Sequence, residues 1–227
     1  IKYAIFINSK KIRNIGSEIS EGYKLWTNAK NIIAGGNMLL SKRPDYFLPL
    51  KWPTYYLKAK GCLIKDIQNK NFYDMSAMGI GTSLLGYANS KVDSEVKKKI
   101  KNGIVSTLNS VEDIELANIL LKLNQWADMV KYTRSGGEAL ALSVRLARAY
   151  TGKQKILICG YHGWHDWYLA ANLSNKNNLD KFLMPELNIK GVPGLMKDSV
   201  IPFKINDYKN FYKIIKKNNI AGVVMEV

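Results

Sequence analysis

The spacing of apolar residues along this chain changes near residue 130. Before it, apolar side chains recur at helical intervals or in short alternating runs; after it, they gather into compact runs separated by helical stretches. Ile19, Tyr23, Trp26, Ile32 and Ile33 give residues 17–34 a helical period, which Gly35-Gly36 ends. Pro44, Pro49 and Pro53 then mark an extended connection. Three short runs follow, Tyr55-Tyr56-Leu57, Cys62-Leu63-Ile64 and Phe72-Tyr73, with the polar Gln68-Asn69-Lys70-Asn71 before the last. They predict a small antiparallel meander whose second turn uses Asn in a left-handed conformation. Gly79, Gly81 and Gly86 predict a close-packed loop. They are no dinucleotide fingerprint, because no apolar strand leads into them and no helix follows Gly81 directly. A lysine-rich helix is expected over residues 92–101. Ser110, followed by Glu112 and Asp113, predicts an N-cap opening a helix to about Leu123.

Beyond residue 130, the runs at 129–132, 156–159, 200–203 and 223–225 have the continuous apolar character of strands buried in a parallel sheet. Between them lies a helical pattern that sets Leu140, Val144 and Ala147 on one face and Arg145 and Arg148 off it. Strands alternating with helices predict an α/β fold, with a mainly parallel central sheet and ligands at the carboxyl ends of its strands. The part before it reads as a small N-terminal α+β lobe.

Composition narrows the function classes. At 227 residues and 47% hydrophobic content, the chain can bury a substantial core. The net charge of +16 would suit a polyanion, but only five of the 34 cations are arginines and the lysines are scattered over helix faces. Such scatter reflects residue usage, and no nucleic-acid partner is expected. Cys62 and Cys159 form no disulfide framework, which fits a reducing cytoplasm. No signal-peptide or membrane-spanning pattern is present, so no membrane partner is expected. The chain opens on Ile1 rather than Met and closes on the apolar run 221–227, which reads as a strand cut at its end; a fragment is expected.

Two motifs carry candidate chemistry. Tyr132-Thr133-Arg134-Ser135-Gly136-Gly137-Glu138-Ala139 reads as a strand end, a glycine turn and a helix start. That geometry presents unpaired backbone N–H groups to a phosphate, although glycine turns of this kind also arise for steric reasons alone. Tyr161-His162-Gly163-Trp164-His165-Asp166 follows the run at 156–159. A metal site there lacks a full ligand set, since His162 and His165 are the only histidines. A serine hydrolase lacks its Gly-x-Ser-x-Gly elbow. Trp164, Trp167 and Tyr168 suit packing on the sheet, whereas Tyr161, directly after the strand, could stack on the aromatic face of a ligand.

With Arg145-Leu146-Ala147-Arg148-Ala149-Tyr150-Thr151-Gly152-Lys153 between them, these motifs resemble the class III pyridoxal-phosphate-dependent aminotransferases, and in particular their glutamate-1-semialdehyde aminomutase branch. The resemblance runs from about Gly22 to Val227. It implies the fold type I of pyridoxal-phosphate transferases (aspartate aminotransferase-like) and pyridoxal 5'-phosphate as cofactor. It sets the cofactor phosphate at Ser135, Gly136 and Gly137, the pyridine ring against Tyr161 with His162 beside it, and Glu226 near the cofactor as the Glu of the family's Val-Glu-Pro strand end. It implies a homodimer and a small amino or keto compound as substrate. No catalytic residue is assigned: the lysine that holds the cofactor covalently, and the aspartate that pairs with its pyridinium nitrogen, fall downstream of Glu226 in the family.

The chain departs from the family at several points. Gly137 stands where Thr is usual and Val227 where Pro is usual. Lys42 takes the place of an arginine that binds the substrate carboxylate in aminomutases, with Arg43 one step on, and Ile80 aligns with a pocket tryptophan. Both an aminomutase and an aminotransferase with another substrate stay open, as does a non-catalytic interaction or scaffold module on the same fold. The expected organisation is an unassigned extension over 1–16, a minor lobe over 17–105, and the first part of the large cofactor-binding domain over 106–227.

Overall fold

The computed structural model describes residues 20–48, 50, 52–75, 78–182 and 187–226. The expectations placed on residues 1–16, Ser17, Ile19, Pro49 and Val227 lie outside the described residues. The chain divides into two compact units between Asn109 and Ser110.

In the first unit, helix α1 (Glu21–Ile32) is capped by Ser20, whose Oγ accepts the Tyr23 N–H at 3.2 Å. Gly22, Trp26 and Ala29 form its buried line, and the Trp26 indole N–H donates to Asp45 at 3.3 Å. After the helix the chain turns back at Gly36, whose φ is +79° and where a Cβ would run into the Trp26 ring. Only glycine satisfies both the conformation and the close approach.

The meander follows as β1 (Tyr56–Lys60), β2 (Leu63–Asp66) and β3 (Asn71–Tyr73), antiparallel in that order. Its second turn has the anticipated left-handed asparagine, Asn69 at φ 63°, and the Asp66 carboxylate accepts the N–H groups of Gln68 and Lys70. The glycine stretch is a run of turns that ends where Tyr87 and Gly61 exchange N–H···O=C bonds of 2.8 Å. There the Tyr87 hydroxyl donates to Asp74 at 2.6 Å. Helix α2 (Ser90–Lys101) then starts from the Asn89 cap.

The second unit opens with α3 (Val111–Leu123). Ser110 occupies its N-cap position, but its hydroxyl donates to the Glu112 carboxylate and accepts no helix N–H. The strand expected at 129–132 is absent. Met129 is 88% exposed, no ladder partner lies beside it among the described residues, and the Tyr132 hydroxyl donates to the Asp113 carbonyl of α3. An apolar run becomes a strand only where a neighbour offers backbone groups to pair with.

The remaining alternation is as anticipated: α4 (Gly136–Thr151), β4 (Lys155–Cys159), the single turns α5 (Asp166–Leu169) and α6 (Ala171–Ser174), β5 (Val200–Pro202), α7 (Tyr208–Lys217) and β6 (Ile220–Met225). The strands form a parallel sheet in the order β5-β4-β6. Ile156, Leu157 and Ile158 of the middle strand are fully buried. The pleat sends Ile156 and Ile158 to one face, against Val144, Trp167, Tyr168 and Leu179, and Leu157 to the other, against Phe203, Phe211 and Ile214. With α4 on one side and α7 on the other, the sheet is the middle of three layers. The edge strand β6 is only partly buried, so the fully buried character anticipated for all the strands holds for β4.

Truncating Ile158 to Ala is expected to lower unfolding free energy by about 2–5 kcal/mol in urea titrations, because the packed layers on either side cannot close the cavity. The Tyr87 phenol is pushed up to about 12, by burial first and by its hydrogen bond to Asp74 second. The unfolded chain gives up this proton near the ordinary value of 10.0, so the stability tied to the neutral phenol is full below that pH and is lost as pH rises through about 12. Tyr87→Phe is therefore expected to flatten the alkaline decline of the urea midpoint in that window.

Candidate functional site

The first turn of α4 is built around a capping box. The Ser135 hydroxyl accepts the Glu138 N–H at 3.3 Å, while the Glu138 carboxylate turns back to accept the N–H groups of Arg134 and Ser135. The Ala139 N–H goes to the Ser135 carbonyl. Among the described residues, the N–H groups of Gly136 and Gly137 have no acceptor, and the Ser135 hydroxyl still has its own proton to donate. These three donors sit at the positive end of a 16-residue helix. A Cβ at Gly136 would meet nothing within 4 Å, so an anion can reach the backbone there.

The second half of the site hangs from the carboxyl end of β4. Gly160 has φ +107°, and a Cβ there would lie 2.6 Å from Glu226 Oε2. Glu226, directly after β6, donates its backbone N–H to the Cys159 carbonyl at 2.9 Å, and its carboxylate accepts the Tyr161 N–H at 3.3 Å. Tyr161 is half-buried, its ring edge-on to Tyr168 at 5.9 Å. The Tyr168 hydroxyl donates to the Gly160 carbonyl at 3.1 Å. Burial, with smaller contributions from Tyr161 and Glu226, holds the Tyr168 phenol protonated far above the ordinary tyrosine range. Burial likewise raises Tyr161.

The six candidate residues do not share one environment. Ser135, Gly136 and Glu226 are exposed and Gly137 is half-buried. His162 is buried, with its Nε2 3.0 Å from the Cys159 carbonyl. A carbonyl only accepts, so that nitrogen carries the proton. The ring is committed to the core, stacked on Trp167 and edge-on to Tyr168. The loop 160–165 joins the two halves: it leaves Glu226 at Gly160, and at Gly163 and His165 it reaches Gly137. The anticipated packing role holds for Trp167 and Tyr168, whereas Trp164 is 65% exposed and stacks on His165.

A groove of about 500 Å³ lies along α4, lined by Val144, Arg145, Arg148, Trp164, His165 and Trp167. Arg148, expected off the buried face, is half-buried, its Nε donating to the Gln154 carbonyl. His165 is the residue shared by this groove and the α4 first turn. Among the described residues, no group of three His, Cys, Asp or Glu could hold a metal ion, and no helix is long and apolar enough to cross a membrane.

Sequence reasoning passed over Gly160, Tyr168 as the holder of Gly160, and His165 as a neighbour of Gly137. A glycine directly after a buried strand was the available signal for the first, since such glycines mark positive φ or close approach. The other two depend on how the loop folds back.

A parallel three-layer α/β unit with free N–H groups at a helix start beside the carboxyl end of its central strand is of the class of α/β folds that place ligands at strand ends. The sequence model of the class III aminotransferases matches residues 50–227, and the chain belongs to that family. It is 26% identical over 92% of its length to a 3-aminobutyryl-CoA aminotransferase from Cloacimonas acidaminovorans, covering 46% of that protein. It is 32% identical over 89% of its length to a glutamate-1-semialdehyde 2,1-aminomutase from Wigglesworthia glossinidia brevipalpis, again covering 46%. The omega-transaminase of Sphaerobacter thermophilus shares its fold, with a TM-score of 0.75 at 24% identity over 94% of this chain and 48% of that one. The chain thus spans about half the length of the relatives it matches, and its fold is shared with that share of a transaminase solved with pyridoxal phosphate bound, at a TM-score of 0.76.

Gly160→Ala is expected to cost about 1–3 kcal/mol in denaturant unfolding, from its left-handed backbone and the Glu226 contact together. Gly194→Ala, with ordinary φ and nothing within 4 Å of the added carbon, serves as the silent control.

Proposed function

We propose that this chain supplies the phosphate- and ring-binding part of a pyridoxal-5'-phosphate-dependent aminotransferase or aminomutase acting on a small amino or keto compound. The observation that carries the reading is the pair of N–H groups at Gly136 and Gly137, without an acceptor among the described residues and approached by the short loop that starts from Tyr161 and Glu226. The residues present fit the cofactor: three donors suit a phosphate, and a half-buried phenol ring suits the face of a pyridine. When bound, pyridoxal phosphate supplies an electron sink for the pair released when a bond at the amine-bearing carbon breaks.

Each residue then has a task. Ser135, Gly136 and Gly137 hold the phosphate with a hydroxyl and two backbone N–H groups. Tyr161 offers its ring, kept at its angle by Tyr168 below and by the Glu226 carboxylate on its backbone. His162 buttresses that arrangement from the core side through its bond to Cys159. The covalent lysine and the aspartate for the pyridine nitrogen, which the resemblance puts downstream of Glu226, belong to the same proposal, as do the homodimer and the minor-lobe and large-domain division. Residues 1–227 by themselves are not expected to turn over. Similarity to the glutamate-1-semialdehyde aminomutases supports an aminomutase-like substrate; similarity to the 3-aminobutyryl-CoA aminotransferase supports an amino-group exchange with another compound.

The test is the absorbance spectrum of the full-length protein with pyridoxal phosphate, before and after candidate amino donors are added. A cofactor band that shifts on adding a donor is the expected result, and the donor that shifts it names the substrate class. Absence of any bound-cofactor band would overturn the proposal in favour of a non-catalytic interaction module. Ser135→Ala, which removes one phosphate donor and the helix cap together, is expected to weaken cofactor binding about tenfold by equilibrium dialysis.

A further inference from the structure

We infer that His165 is the side chain that completes the phosphate cradle, standing in the space that a side chain at position 137 would otherwise fill. The inference rests on the cofactor reading above and concerns one contact within it. A Cβ built on Gly137 would lie 2.9 Å from His165 Nε2, 3.0 Å from its Cδ2 and 4.0 Å from Ser135 Oγ. The nitrogen-bearing edge of the imidazole therefore faces the first turn of α4, on the side where the Ser135 hydroxyl lies.

Two contacts hold the ring there without occupying its nitrogens. It stacks on Trp164, with centroids 4.9 Å apart and planes 26° from parallel. Its backbone carbonyl opens α5 by accepting the N–H groups of Tyr168 and Leu169 at 2.9 and 3.1 Å. No described residue makes a hydrogen bond to either ring nitrogen. The nearby charges are disposed accordingly: the Glu138 carboxylate is taken up by the Arg134 and Ser135 N–H groups, while the Arg134 and Asp166 side chains are exposed. Two backbone N–H groups and a hydroxyl without an acceptor among the described residues thus belong to one helix start, and the imidazole edge lies beside the second of its glycines. A group with several acceptor oxygens answers all four, and a phosphate has them.

The same geometry puts the side chains of positions 137 and 165 in competition for one space. Any side chain at 137 must displace the imidazole, because 2.9 Å to a ring atom is closer than real Cβ contacts come. Residue 137 can bring its own hydroxyl to the phosphate, or it can be glycine and leave that place to His165.

The experiment uses the full-length protein and two probes, pyridoxal 5'-phosphate and pyridoxal, which lacks the phosphate, measured by equilibrium dialysis. His165→Ala is expected to weaken pyridoxal phosphate about tenfold while leaving pyridoxal within about twofold. His165→Gln, which keeps a donor, is expected to retain most of the affinity. In a Gly137→Thr background, where the new side chain displaces the ring and brings its own hydroxyl, His165→Ala is expected to cause no further phosphate-selective loss. Wild-type binding of pyridoxal phosphate with no phosphate-selective loss in His165→Ala would overturn this inference and leave the cofactor reading intact. So would a tenfold phosphate-selective loss from His165→Ala that persists unchanged in the Gly137→Thr background. Failure of the wild-type protein to bind pyridoxal phosphate would overturn the cofactor reading itself.

Discussion

One backbone carbonyl, that of Cys159, accepts two hydrogen bonds on which the site depends. The Glu226 N–H reaches it from the end of β6, and the His162 imidazole reaches it from the loop that follows β4. A buried carbonyl with both lone pairs occupied fixes the direction in which each donor arrives. Glu226 is thereby brought beside Gly160, where its carboxylate takes the next backbone N–H of the loop, while His162 is turned into the core. The loop leaves the sheet already aimed at the start of α4. Its fully buried strand explains why so small a set of bonds suffices: Ile156, Leu157 and Ile158 cannot shift without opening both layers.

Around that anchor, aromatic rings act as spacers. Tyr168 is wholly buried yet sends its hydroxyl to Gly160, so its polar tip is satisfied and its body belongs to the core. Trp167 and His162 pack behind it, and Trp164, on the outer side of the loop, backs His165. The loop is thus held between rings on both sides, and glycines appear where the backbone must pass something closely: Gly160 against Glu226 and Gly137 against His165.

Much of this was legible in the sequence, and the parts that were not share a cause. The three-stranded meander, the left-handed Asn69, the parallel strands at 156–159, 200–203 and 223–225 and the helix start at Ser135 all follow from local period and turn chemistry. The run at 129–132 has the same composition as a strand, but whether it pairs is decided by neighbours that its own residues do not encode. Ser110 looks like a cap by spacing, yet a carboxylate two residues on competes for its hydroxyl. The candidate cradle was readable from its glycines. The imidazole beside it was not, because His165 and Gly137 meet only once the loop 160–165 has folded back over α4.

The strand order β5-β4-β6 puts the earliest of these three strands in the middle. Ile156 pairs with Val200 on one side and Gly222 on the other, so both neighbours arrive long after the central strand has been made. As the polypeptide emerges from the ribosome, β4 must wait with two open edges and its most apolar side chains unsheltered, first for one long crossover and then for a second. The strand that anchors the finished architecture is therefore, for part of its synthesis, the segment most exposed to pairing with the wrong chain.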